Sequence, residues 1–111
     1  MKYTIVITYA FSAEWLKKNW RERSDYEATH IAPILAEYAD RVSVRLFDAE
    51  AFSAEHSDFL IIETADMKDY YFFIEALRES QIFKDGLVTF KQIVMGIEDG
   101  FRAYEREALS K

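Results

Sequence analysis

The chain has 111 residues, half of them apolar and 16% aromatic, with 14 basic against 20 acidic side chains for a formal charge of -6. That balance argues against nucleic acid as a partner, because phosphate binding needs a concentrated basic surface. Cysteine is absent, which excludes disulfides and thiolate metal sites, and no apolar run approaches the ~20 residues of a membrane helix. The length fits one domain over residues 1–111. The N-terminus lacks a secretory pattern, so a cytoplasmic location and no membrane partner are expected.

The first element is a strand, Tyr3–Ala10. Its alternation puts Tyr3, Ile5, Ile7 and Tyr9 on one face and Thr4, Val6 and Thr8 on the other. Neither face is strongly polar, as suits a central strand. Ser12 is a plausible N-cap for a short helix holding Trp15 and Leu16. The basic cluster Lys17, Lys18, Arg21 and Arg23 is interrupted by Glu14, Glu22 and Asp25 and reads as a solvated helix face. Ser24 and Glu27 have capping-box spacing, which predicts a second helical piece from there to about Tyr38. Ile31, Ile34, Leu35 and Tyr38 form its apolar stripe, and Pro33 predicts a kink or a late helix start.

The second strand, Arg41–Phe47, puts Val42, Val44 and Leu46 toward the helices and Arg45 on the opposite face. A loop from Asp48 to His56 follows, with Phe52 as an apolar plug. The third strand, Asp58–Thr64, has Leu60 and Ile62 on one side and Phe59, Ile61 and Glu63 on the other. A hairpin centred near Ala54 places Arg45 opposite Glu63, a cross-strand ion pair. Asp66 caps a helix running to about Ser80, with Tyr70, Phe73, Ile74 and Leu77 as its core stripe. Asp85-Gly86 marks a turn, Leu87–Met95 is the fourth strand, and Glu98–Leu109 reads as a C-terminal helix docked through Ile97, Phe101 and Tyr104.

The order β-α-β-β-α-β predicts a ferredoxin-like α+β fold: a four-stranded antiparallel sheet in the order 4-1-3-2, helices on one face, plus a C-terminal helix. The other face then carries Phe47, Phe59 and Ile61. Large apolar patches are rare on monomers, so a homodimer is expected, with a second copy over the open face.

Several blocks carry a family resemblance: His30-Ile31-Ala32-Pro33-Ile34-Leu35, Leu46-Phe47-Asp48-Ala49-Glu50-Ala51-Phe52-Ser53, and Gly96-Ile97-Glu98-Asp99-Gly100-Phe101. Glu63-Thr64-Ala65-Asp66 and Glu75-Ala76-Leu77-Arg78-Glu79 fit the same pattern. Together they resemble the darcynin family, small proteins of uncharacterised function. The resemblance implies an α+β fold and carries over no catalytic residue. More loosely the chain is similar to the dimeric α+β barrel group, in which two such sheets pack open face to open face. That group includes cofactor-free monooxygenases, lactone isomerases and haem enzymes, and its fold does not fix a function.

Candidate site residues follow from placement. Arg45 could hold a carboxylate or enolate oxygen and Glu63 could take a proton, if a partner sheet desolvates them. Against this stands a plain cross-strand ion pair. His30 could act as a general base or haem ligand, or simply sit on an exposed helix face. Tyr9, Arg45, Phe47 and Phe59 are candidate ligand contacts, and Tyr3, Tyr9, Trp15, Trp20 and Tyr26 could line an aromatic pocket, although such residues are more often core. His56 with Glu50, Glu55 and Asp58 could bind a metal, but no regular spacing holds them together and they read as a solvated loop. Asp48, Glu50, Glu98 and Asp99 could bind a hard cation, but capping and loop ordering explain them, so neither metal nor cofactor is expected. No phosphate loop, Ser-His-Asp spacing or H-E-x-x-H occurs. The functional expectation is a homodimeric structural or interaction module. The alternative is a small-molecule binder or cofactor-free enzyme, monooxygenase- or isomerase-like, taking an acidic or aromatic compound between sheet and partner. A hollow of about 300 Å³ or more there, walled by Arg45 or His30, would mark such a site.

Overall fold

The computed structural model describes residues 1–110. Its elements are β1 (Tyr3–Phe11), α1 (Ala13–Leu16), α2 (Trp20–His30), α3 (Ala32–Tyr38), β2 (Val42–Asp48), β3 (Asp58–Thr64), α4 (Met67–Arg78), α5 (Gln81–Lys84), β4 (Val88–Gly96) and α6 (Gly100–Tyr104), which runs into a π-helical turn, Glu105–Leu109. The four strands pair antiparallel in the order β2-β3-β1-β4, the expected ferredoxin-like sheet. Ile5, Ile7, Leu60, Ile62 and Val42 point under the helices, where Tyr38, Phe73 and Leu77 meet them. Phe73 and Ile62 are fully buried.

Each strand register follows from this apolar row. The hairpin between β2 and β3 is centred one residue earlier than predicted, with Val42 opposite Thr64. Arg45 therefore faces Ile61, and Glu63 faces Ser43, rather than each other. Thr64 Oγ1 donates to the carbonyl of Arg41 at 3.0 Å, fixing the open end of the hairpin. Phe52 plugs nothing: it is 92% exposed at the loop tip.

The helix boundaries also correct the sequence reading. Ser24 lies inside α2. The box is formed five residues earlier, where Asn19 Oδ1 accepts from Glu22 N–H and Glu22 Oε1 accepts from Asn19 N–H, both at 2.9 Å. Asn-x-x-Glu satisfies the same two orphan donors as Ser-x-x-Glu, so the earlier signal won. Asn19→Ala is expected to cost about 1 kcal/mol, read as a lower urea midpoint with an unchanged slope. Pro33 sits in the first turn of α3, where its missing N–H is harmless, and the chain breaks at Ile31. Ser12 caps α1 and Asp66 caps α4 as expected.

The C-terminal helix does not dock. Phe101 and Tyr104 are 69% and 52% exposed, and none of its residues is buried. Asp99, at φ 49°, makes no side-chain cap bond, so capping does not account for it. The segment stands away from the sheet, which makes the molecule long, 59 × 31 × 18 Å. Its radius of gyration of 16.5 Å exceeds the ~13–14 Å of a compact chain of this length.

Candidate functional site

Two hollows flank the sheet. The first lies on its helix-facing side. Helix α2 reads Trp-Arg-Glu-Arg-Ser-Asp-Tyr-Glu-Ala-Thr-His and buries none of its residues. Without an apolar stripe it cannot press onto the sheet. Its Ser24, Glu27 and Ala28 instead face a cavity of about 460 Å³, floored by Tyr9, Phe11, Val44, Leu60 and Phe90.

One row crosses the sheet at the mouth of this cavity. Asp48 on β2 is opposite Asp58 on β3, Asp58 is opposite Tyr9 on β1, and Tyr9 is opposite Phe90 on β4. Carboxylate oxygens of Asp48, Glu50 and Asp58 lie within 4.8 Å of one another, and Glu27 reaches the same mouth from α2. Asp58 is only 6% exposed. Burial, then the hydrogen bond and charge of Asp48, push its pKa up to about 6. Burial also raises Glu27; Arg23 pulls against this and Asp48 adds to it. The Tyr9 phenol is pushed above its ordinary value by burial, then by Asp58, Asp48 and Glu27. Among the described residues no ion pair ends on any of these four acids. The Arg23 charge acts on Glu27, and the buried Arg23 Nε has no partner. The row thus sets carboxylates outside any ion pair beside an apolar chamber, an arrangement that can hold a proton near neutral pH or receive a cation.

The second hollow lies on the open face. There Phe47 and Phe59 stack in register, 4.7 Å apart and 6° from parallel. The Arg45 guanidinium stands 5.8 Å from the Phe47 ring and 4.0 Å from Glu63 Oε1. Lys2 is nearer to Glu63, at 3.3 Å. Thr4, Val6, Arg45, Glu63 and Val94 form one wall of a cleft of about 910 Å³, with Ala103 and Arg106 of the C-terminal segment on the other.

The sheet therefore separates the candidates. Arg45, Glu63, Phe47 and Phe59 share the open face, whereas Tyr9 points beneath the helices. His30 lines neither hollow; its ring lies 4.5 Å from that of Tyr26. Of the proposed aromatic pocket, Trp15 is stacked on Phe11 at 5.0 Å and edge-on to Tyr26 at 5.5 Å, Trp20 is 69% exposed, and Tyr3 packs elsewhere in the core. His56 contacts Glu55 at 3.8 Å and stays out of the carboxylate cluster. The sequence reading grouped Asp58 with His56, Glu50 and Glu55 rather than with Asp48, and it did not single out Glu27. The parity that turned Leu46 and Leu60 inward also turns Asp48 and Asp58 inward, and two acids in an otherwise apolar row were the available signal.

A family model described as "Darcynin, domain of unknown function" matches residues 2–111. Darcynin 1 of Acinetobacter baumannii is 39% identical over 84 residues, covering 76% of this chain and 92% of that protein. Darcynin of Chromobacterium violaceum is 43% identical over 75 residues, covering 68% and 94%. Among solved structures, a mutant chlorite dismutase from Candidatus Nitrospira defluvii superposes with a TM-score of 0.72 at 13% identity, covering 86% of this chain. This chain spans 39% of that protein's length, so the likeness is one of fold.

Proposed function

Because the chain belongs to the darcynin family, whose description carries no activity, we propose from its geometry that it is a homodimeric module in which a second copy covers the open sheet face. The carrying observation is the apolar surface left without a helix. Phe47, Phe59, Ile61 and Val6 lie side by side there, and Val94 beside them is 65% exposed. The C-terminal segment adds Phe101, Tyr104 and Leu109, all more than half exposed. Such a surface is of the kind that marks an interface. The module works in the cytoplasm in this reading. Light scattering on the full chain at about 10 µM should give twice 13.1 kDa; a particle of 13.1 kDa at that concentration would sink the reading.

The cleft beside Arg45 favours a second reading, a small-molecule site completed by the partner. Its volume is in the range of ligand pockets, and Arg45 would hold a carboxylate of an acidic or aromatic compound while Glu63 takes a proton. The double variant Arg45→Leu/Glu63→Leu separates the two. The Arg45 side chain is 58% exposed, and exposed pairs are worth about 0–1 kcal/mol. The module reading expects a melting temperature within ~3 °C of the parent and a retained dimer. The site reading expects the same folding, but loss of stabilisation by any acidic ligand that protects the parent.

A further inference from the structure

The cavity beneath α2 lies on the far side of the sheet from the dimer surface and from Arg45, so its role does not depend on either. We propose that it is a binding site for an organic cation, an amine whose charged head sits among Asp48, Asp58 and Glu27 and whose flat apolar body enters over Tyr9, Leu60 and Phe90. Size, lining and charge each point to this class. About 460 Å³ is within the range that holds a small organic molecule. The inner wall is apolar, from Ile31, Leu35, Val44, Leu60, Phe73 and Leu77. At the mouth the sign is uniformly negative. Asp58 is a carboxylate more than nine-tenths buried, it lines the cavity, and no lysine, arginine or histidine of the described residues pairs with it.

A buried carboxylate without a counter-ion is costly. Asp48 and Glu27 are exposed, but the Asp48 charge acts on both Asp58 and Glu27 at the same opening, so a cation placed there gains from more than one acid. Arg23 lines the vestibule, yet it stops short of ion-pair distance from Glu27, Asp48, Glu50 and Asp58. The aromatic walls add to the preference, because ammonium groups are drawn to ring faces. The outer vestibule continues with Phe11, Trp15 and Trp20 beside Asp48 and Asp58, and Arg23 also lines it without pairing with either acid. A hard divalent ion suits the place less well. It needs six or more oxygen ligands, whereas the remaining wall here is rings and aliphatic side chains. An anionic ligand would meet the acids head-on.

Calorimetric titration of the full chain tests this at about pH 7.5, with tryptamine and phenethylamine as probes. Their neutral counterparts tryptophol and 2-phenylethanol, and the acid indole-3-propionate, serve as controls. At least one amine should bind, its alcohol at least tenfold more weakly, and the acid not at all. Asp58→Asn should weaken the amine tenfold or more while leaving the circular dichroism spectrum unchanged. Ala28→Phe, which fills the chamber from α2 without touching the acids, should abolish binding of the amine, and it serves if the first variant does not fold. The open-face variant Ile61→Arg should bind the amine as the parent does, whatever its oligomeric state. Equal binding of amine and alcohol, no binding of either amine, parent-like binding by Ala28→Phe, or calcium or manganese chloride alone displacing the amine at equal concentration would each overturn the proposal.

Discussion

Ile61→Arg is expected to turn the proposed dimer into a folded monomer. Ile61 sits in the middle of the open face, opposite Arg45 on β2 and Val6 on β1. In the separate chain this position looks toward water, so an arginine there can extend its charge into solvent and leave the core untouched. In the proposed dimer the same guanidinium would be trapped against a second sheet, next to Arg45. Burying an unpaired charge costs several kcal/mol, and the like-charge neighbour adds to it. The dissociation constant should rise at least a hundredfold, about 2.8 kcal/mol at 1.4 kcal/mol per factor of ten. Sedimentation equilibrium reads the mass, and circular dichroism confirms the fold. If the variant stays dimeric, the copies meet somewhere else. The lower half of β4 would then be the place to look, since Ile93, Val94 and Met95 are exposed on both sides of that edge strand, and unpaired apolar edges invite pairing.

Asp58→Asn should make the protein more stable at pH 7–8, although it removes a charged group from a folded chain. In the folded state Asp58 keeps its proton up to a pKa of about 6, against an ordinary value of 3.8. The folded chain therefore binds that proton more tightly than the unfolded one. Stability falls as pH rises from about 4 through 6, and the full penalty remains above that window. Each pKa unit is worth 1.36 kcal/mol. Asp48 shares the proton and the cavity mouth admits solvent, so the net gain for the asparagine variant is on the order of 1–2 kcal/mol. Glu27 is raised in the same direction and leaves a residual slope of the same sign. Urea unfolding at several pH values between 4 and 8 checks both the gain and the loss of slope. A variant weaker than the parent at pH 7.5, or one with the parent's slope, removes Asp58 from this role.

The architecture could be read from the sequence because its signals were local and repeated. Val42, Val44 and Leu46 alternate cleanly, and Tyr70, Phe73, Ile74 and Leu77 recur at helical spacing; both sets face inward, although Leu46 ends at the cavity mouth, 59% exposed. Helix starts were less legible. Asn19-Glu22 and Ser24-Glu27 offer the same capping chemistry five residues apart, and nothing local to the sequence says that Asn19 and Glu22 form the box. The C-terminal helix had apolar residues suited to docking, yet a sequence cannot say whether the surface they meet belongs to the same chain. The open-face residues Arg45, Glu63, Phe47 and Phe59 were grouped correctly by parity alone. The acidic row was hidden for the opposite reason: Asp48 and Asp58 lie ten residues apart on facing strand ends, and their convergence with Glu27 depends on a helix too polar to close over them.

Hydroxyl-radical footprinting of the unmodified chain, at about 50 µM and again at high dilution, tests most directly whether a copy of the protein covers the open face. Phe47, Phe59 and Val94 should be shielded in the concentrated sample and become reactive as the particle falls to 13.1 kDa, while the exposed loop residue Phe52 reacts equally in both. Uniform reactivity of the open face at every concentration, with a particle that never exceeds the mass of one chain, would contradict the account.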